Sequence, residues 1–156
     1  MLEGCKTAQE RWGGVHDIID RLLAERRALV EACQPLKEKK HLTPKDTPDI
    51  QSLCELLMDY VSAGHFTLYE QLALEAQDFG DDSALQMLKS LLPEIESSTQ
   101  LAIEFNDKFD NADHCDQQLA DFPISIQALS LVMTERFQFE DKLIKELHEA
   151  HSENAH

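Results

Sequence analysis

Apolar side chains recur at spacings of three and four residues through four long stretches of this chain, and this periodicity constrains the fold most. Such spacing places side chains along one side of an α-helix. Only 5 glycines and 5 prolines occur in the 156 residues, whereas a β-sandwich needs many more turn residues. The sequence therefore predicts an all-α fold, an antiparallel four-helix bundle with kinked helices and short extra segments. We expect one domain over residues 1–156, with a frayed tail at about 152–156.

The first two predicted helices are bounded by capping and helix-breaking residues. The first covers most of residues 5–33 and is expected to end at Pro35. The second runs from a cap at Thr47 to about residue 77. Gly80 is predicted to end this second helix, because glycine readily adopts the left-handed conformation that follows many helices.

The last two helices carry one proline and one charged residue that disturb their patterns. The third helix covers residues 85–109, and Pro93 is expected to kink or split it near residues 90–92. Residues 110–116 are polar and acidic and are predicted to form a turn. The fourth helix runs over about residues 123–148, and Glu140 interrupts its apolar stripe.

The charge is distributed unevenly along the chain. Residues 1–45 carry a net charge of +2 and residues 46–156 a net charge of −18, which together give the formal −16. So negative a surface repels phosphate and anionic lipid, so we expect no direct binding to nucleic acid or membranes. It favours a basic protein partner, although an acidic surface can also serve solubility alone.

The remaining composition points to an intracellular, non-catalytic protein. The 4 cysteines form no CxxC pair and are expected to be reduced thiols in a reducing compartment. No apolar run is long enough to span a membrane. No nucleophile–base pair, phosphate-binding loop or dinucleotide fingerprint is present, so we expect no enzymatic activity and no cofactor.

A carboxylate and histidine metal site is the main chemical alternative in a helical bundle. Di-iron bundles need Glu-x-x-His pairs that project inward, and this spacing is absent from the chain. We predict His65 to be the only interior histidine, half-buried and hydrogen-bonded. His148, His151 and His156 are predicted to be exposed to solvent. A metal- or oxygen-binding bundle stays open only as an alternative reading.

Two features of the first helix have simple structural interpretations. The charged run at 21–27 is predicted to form its solvent-exposed face. Trp12, the single tryptophan, is predicted to anchor the start of this helix to the bundle.

The stretch at 59–72 places an aromatic residue on a face that should be polar. A helical wheel groups the apolar residues Leu53, Leu57, Val61, Leu68 and Leu72 on one stripe. The opposite stripe holds Asp59, Ser62, Ala63, Phe66 and Glu70. A large apolar side chain on a polar face indicates a contact with a partner. A bend at Gly64 is the alternative, because it would turn Phe66 into the core.

The same stretch resembles a known family signature. The sequence DYVSAGHF at 59–66, followed by Tyr69 and Glu70, resembles the central motif of the regulator of sigma D family, Rsd and AlgQ. The letters RF and EDKLI within 136–144 look like the C-terminal block of that family. The opening AQERWGGVH at 8–16 is closer to the AlgQ-type members.

The resemblance implies a cytoplasmic anti-sigma factor that binds the housekeeping sigma factor at its region four. It implies that Asp59, Ser62 and Phe66 contact sigma, and with them we assign Ala63 and Glu70 to the partner-binding face. AlgQ-type members are also linked to control of exopolysaccharide and virulence genes. The protein is expected to be a monomer when free. A stress-signalling adaptor that binds other basic proteins through the same face is a further alternative.

Overall fold

The computed structural model describes the backbone of residues 8–63 and 67–151 and the side chains of residues 12–62 and 67–151. Within these ranges the chain is helical and contains no strand, which confirms the predicted all-α bundle. The helices are α1 (Ala8–Glu38), α2 (Thr47–Ala63), α3 (Tyr69–Asp78), α4 (Asp82–Phe109), α5 (Ala112–Gln117) and α6 (Phe122–Leu143). Short 3-10 turns lie at Pro44–Asp46, Leu119–Asp121 and Glu149–His151, and a π-helical turn lies at Ile144–His148.

The four long segments pack around one apolar core. The helix α1 contacts α2, α3 and α6, and α4 contacts the same three helices from the other side. Each helix contributes its apolar stripe, and full burial of a leucine or isoleucine contributes roughly 1.5–3 kcal/mol. The fully buried apolar residues include Val15, Ile50, Leu57, Ile95, Phe109, Phe122 and Ile126.

The first helix is longer than the sequence predicts. The prediction that it ends at Pro35 is wrong, because α1 continues to Glu38 with the proline inside it. A proline in a helix leaves the carbonyl four residues earlier without its partner. That carbonyl belongs to Glu31, which is exposed, so water can satisfy it. Burial of Leu36, which is 2% exposed, stabilises the last turn.

The helix α4 is likewise continuous across its proline. It runs unbroken from Asp82 to Phe109, so Pro93 does not split it. The proline lies on the exposed side, and the carbonyl of Lys89, which it leaves unpaired, also belongs to an exposed residue. The helix begins at a cap in which Asp81 accepts a hydrogen bond from the backbone N–H of Ala84 at 3.0 Å.

The helix predicted from Thr47 to about residue 77 is described as two helices, α2 and α3, and residues 64–66 between them lie outside the described residues. Thr47, predicted to cap that helix, is instead its first residue and donates to Asp116 at 2.6 Å.

Gly80 ends α3 with a φ of 67°, as predicted. The predicted turn at 110–116 instead contains α5, which Asn111 caps by accepting the backbone N–H of His114 at 2.8 Å. The fourth helix ends at Leu143, and the chain continues to His151 in tighter and wider helical turns.

Cys33, Cys54 and Cys115 are free thiols, and Cys5 lies outside the described residues. Burial raises the pKa of the Cys54 thiol to about 12, which keeps that thiol protonated. Within the described ranges, none of the helices combines the length and apolar character needed to cross a membrane.

Candidate functional site

One side of α2 and α3 is buried in the core. The predicted apolar stripe is confirmed, because each of its members is at most 1% exposed: Leu53, Leu57, Val61, Leu68 and Leu72. The two helices are thus held against the bundle along a line that continues from one to the other. Their opposite side remains available to solvent.

Three of the predicted site residues lie on this solvent side. Asp59 and Ser62 of α2 and Glu70 of α3 are exposed, as the helical wheel predicts. We call these three exposed residues the acidic face; Asp59 and Ser62 lie near the end of α2, and Glu70 lies near the start of α3. Their exposure leaves the carboxylates of Asp59 and Glu70 accessible to a partner.

The centre of the motif falls outside the described residues. This applies to the side chain of Ala63 and to Gly64, His65 and Phe66. The predictions for a bend at Gly64, a half-buried His65 and an outward Phe66 therefore stay predictions.

A groove between α1 and α2 extends the acidic face. It is open to solvent and has a volume of about 650 Å³. Its walls come from Arg21, Ala24, Glu25 and Ala28 of α1 and from Leu56, Asp59 and Ser62 of α2. The small side chains of Ala24 and Ala28 leave room between the two helices. Two residues that the sequence places on the acidic face thus also border a concave surface.

Glu25 is a functional candidate that the sequence analysis missed. Partial burial raises the pKa of its carboxyl group, the nearby charge of Asp59 raises it further, and Arg21 opposes both effects. The two carboxylates therefore lie close enough to repel each other across the groove, an arrangement that a cationic side chain would relieve. The signal is absent from the sequence because Glu25 and Asp59 belong to different helices.

A buried ionic network lies directly behind the acidic face. Its centre is Glu140 of α6, which is 1% exposed. One carboxylate oxygen accepts hydrogen bonds from the Tyr60 hydroxyl and from Arg26 Nη2, the latter at 3.2 Å. The other accepts from the Tyr69 hydroxyl at 2.5 Å and from Arg136 Nε at 3.3 Å. Glu140, predicted only to interrupt a stripe, thus joins α1, α2, α3 and α6.

Arg26 contradicts the prediction that residues 21–27 form a purely solvent-exposed face. Its side chain is 14% exposed. It donates to Asp141 at 2.6 Å, and its guanidinium lies 4.7 Å from the centre of the Phe137 ring. Burial lowers the pKa of Arg26, but the surrounding tyrosine and carboxylate oxygens raise it above its ordinary value, so the group stays charged.

Arg136 completes the network on the side of α4. It is 1% exposed and donates through Nη1 to the hydroxyls of Ser98 at 3.2 Å and Thr99 at 2.6 Å. The two arginines of the network balance the carboxylates of Glu140 and Asp141. A buried charge is tolerated when it is paired and hydrogen-bonded in this way.

Both tyrosines of the network remain hydrogen-bond donors. Burial raises the pKa of Tyr60 and Tyr69, and the negative charge of Glu140 raises both further. Neither hydroxyl loses its proton near neutral pH, so each continues to donate to Glu140.

A second cluster corrects the prediction for the C-terminal histidines. His148 and His151 are 2% and 4% exposed, so the expectation that they face solvent is wrong. His148 Nδ1 lies 2.6 Å from Glu75 of α3, and its other ring nitrogen lies 3.3 Å from His16 of α1. His151 lies 2.9 Å from Asp81. Glu75 itself is fully buried, so the imidazoles compensate a carboxylate that the sequence pattern did not reveal.

The cluster also anchors the start of α1. Trp12 donates from its indole nitrogen to the His148 carbonyl at 2.9 Å, which confirms its predicted role. Its ring stacks on those of His16 and His148, with centroids 5.0 and 4.5 Å away. The prediction that His65 is the only interior histidine is therefore wrong, because His148 and His151 are both buried. The third C-terminal histidine, His156, lies outside the described residues.

The histidine and carboxylate groups do not make a metal site in the part of the chain that the structure describes. No three or more His, Cys, Asp or Glu side chains there are grouped so that they could hold a metal ion.

The sequence matches one protein family along almost its whole length. The model of the family described as "Regulator of RNA polymerase sigma(70) subunit, Rsd/AlgQ" matches residues 1–148. A protein named Regulator of sigma D from Yersinia pseudotuberculosis serotype O:1b (strain IP 31758) is 27% identical, with 93% of this chain and 88% of the relative aligned. A protein of the same name from Enterobacter sp. (strain 638) is 32% identical over 92% of this chain and 88% of the relative. No solved structure matches the chain.

Proposed function

Because the chain belongs to the Rsd/AlgQ family of regulators of the RNA polymerase sigma(70) subunit, we propose that it acts as an anti-sigma factor. It binds region four of the housekeeping sigma factor and reduces the use of that factor in transcription. It does so as a cytoplasmic monomer that contacts neither nucleic acid nor membrane. The family is one of sigma-subunit regulators and not of enzymes, and the proposed activity is binding alone.

The observation that carries this proposal is the exposure of Asp59, Ser62 and Glu70, of which Asp59 and Ser62 also line the groove between α1 and α2. Region four is a basic helix-turn-helix module that contacts phosphates and base edges. An acidic surface competes with DNA for such a module and accelerates its capture. The net charge of −18 over residues 46–156 acts in the same direction.

Each residue of the face has a distinct role in the proposed complex. Asp59 pairs with an arginine or lysine of sigma, and Glu25 strengthens that attraction from the opposite wall of the groove. Glu70 makes a second ion pair, and Ser62 accepts or donates a hydrogen bond. Phe66 provides apolar burial, for which a fully desolvated anchor contributes about 2 kcal/mol or more.

Charge reversal at one position of the face tests the proposal. We expect Asp59→Lys to weaken binding to purified region four at least tenfold, measured by isothermal titration calorimetry, because it replaces an ion pair with a repulsion. The helical circular dichroism should not change, since Asp59 is exposed.

The matched control is Asp107→Lys, which makes the same change of charge at an exposed position of α4. We expect its affinity to stay within about twofold of the wild type, because α4 contributes no residue to the acidic face or to the groove, and salt screens interactions between exposed charges. Equal weakening by both substitutions would show that only the overall charge matters. Wild-type affinity in Asp59→Lys would remove this residue from the site.

A further inference from the structure

Glu140 connects the two helices that carry the acidic face. Tyr60, which donates to it from α2, follows Asp59 directly in the chain. Tyr69, which donates to it from α3, precedes Glu70 directly. One buried carboxylate therefore receives a hydrogen bond from each side of the segment at 64–66.

The α1 wall of the groove is tied to the same carboxylate. Arg26 Nη2 donates to Glu140 at 3.2 Å, and Arg26 Nε donates to the Tyr60 hydroxyl at 3.1 Å. Glu25, which lines the groove, is its neighbour in the chain. All three elements that surround the acidic face thus converge on Glu140.

We propose that Glu140 is a positioning residue for the partner-binding face, because it fixes α2, α3 and α1 relative to one another through Tyr60, Tyr69 and Arg26. The inference rests on the proposed function for the identity of the partner. It assigns to Glu140 no contact with sigma, since its side chain is fully buried.

A polar centre suits this role better than an apolar one. Apolar contacts have little directional preference, whereas a carboxylate that accepts four hydrogen bonds defines the distance and orientation of each donor. Replacing buried ionic groups with apolar residues of similar volume is often neutral or stabilising. A gain in stability therefore does not explain why Glu140, Arg26 and Arg136 form a buried ionic network here. The need to orient the acidic face does explain it.

The test uses Tyr69→Phe in the full chain, because removing Glu140 itself would leave two buried arginines without their shared partner. The substitution deletes only the hydroxyl that donates from α3 to Glu140. In the free protein, we expect backbone amides of α3 to exchange with solvent at least fivefold faster, with the amides of α4 less affected. Against the housekeeping sigma factor, we expect the dissociation constant to rise about five- to tenfold.

Thr99→Val is the matched control within the same network. It removes the hydroxyl that accepts from Arg136 Nη1 at 2.6 Å, on the side of α4 and away from the acidic face. We expect it to lower the stability about as much as Tyr69→Phe but to leave α3 exchange and sigma affinity within twofold of the wild type. Equal effects of the two variants on α3 exchange and affinity would overturn the positioning role.

A double-mutant cycle separates positioning from general destabilisation. If Tyr69 acts by orienting Glu70, then Tyr69→Phe should weaken binding less in a Glu70→Ala background than in the wild type. Additive effects would contradict the proposal. The hydrogen-exchange experiment needs no sigma factor. If the wild-type protein did not bind sigma, the proposed function would be overturned, and the exchange rates of the α3 amides would still decide the positioning role of Glu140.

Discussion

At the scale of single residues, the chain uses its charged side chains in two different ways. Asp59 and Glu70 are exposed and accessible to a partner, whereas Glu140 and Arg136 are buried and hydrogen-bonded to each other within the fold. An exposed ion pair contributes at most about 1 kcal/mol, so the first group matters little for folding. The second group orders the interior, and removing one member is costly.

Asp81 provides a residue-scale test at the start of α4. Its carboxylate accepts the N–H of Ala84, and this bond together with His151 lowers the pKa of Asp81 below its ordinary value. We expect Asp81→Ala to lower the free energy of unfolding by about 1 kcal/mol at neutral pH. Chemical denaturation monitored by circular dichroism measures this difference.

The pH dependence of the Asp81 cap follows from the sign of its shift. Because the folded-state pKa is lowered, the stabilisation is present above the unfolded value near 4 and is lost as the pH falls through the folded value. The difference between wild type and Asp81→Ala should therefore shrink towards pH 3. Asp81→Asn, which keeps an acceptor for the cap, should lose less at neutral pH. A constant difference across this range would contradict this account of the cap.

At the scale of elements, the sequence predicts which side of a helix is buried better than it predicts where the helix ends or which residues its side chains contact. The buried stripe from Leu53 to Leu72 follows from helical periodicity alone. Pro35 and Pro93 were expected to interrupt helices, but each lies where the carbonyl that it leaves unpaired is on an exposed residue. The cost of a proline depends on that exposure, which a single sequence does not contain.

The buried polar contacts could not be predicted from the sequence for a related reason. His148 pairs with Glu75, which is 73 residues away, and Glu140 pairs with Tyr60, which is 80 residues away. Local patterning carries no information on such pairs. It therefore placed His148 in solvent and treated Glu140 as an interruption. The exposed positions Asp59, Ser62 and Glu70 could be predicted, because exposure on one helix depends only on its own period.

The C-terminal turns pack onto α1 and α3 through His148, and a substitution at this residue tests the contact. We expect His148→Ala to lower the free energy of unfolding by about 3 kcal/mol, because it removes the partner of the buried Glu75 carboxylate at 2.6 Å and leaves only His151 at 3.5 Å. Urea denaturation measures the change.

The control for this prediction is His114→Ala. His114 also lies near a carboxylate, that of Asp110 at 3.2 Å, but both side chains are exposed. We expect a change of at most about 0.5 kcal/mol. A similar loss in the two variants would show that burial of the histidine–carboxylate pair does not increase its contribution to the free energy of unfolding.

At the scale of the whole molecule, charge and shape act together. The helices form a bundle whose core continues beneath α2 and α3, and the strongly acidic part of the chain contains both of these helices. A long-range field attracts a basic partner before contact, and the groove and the acidic face then determine where it binds. We therefore propose that the chain is one domain with its partner-binding surface on one side.

The most direct test of this account is a titration of the full chain into purified region four of the housekeeping sigma factor at several salt concentrations. We predict a 1:1 complex with a dissociation constant of about 1 µM or lower near physiological salt, weakening as the salt concentration rises because the attraction is electrostatic. Absence of binding at about 100 µM, or binding that salt does not affect, would contradict it.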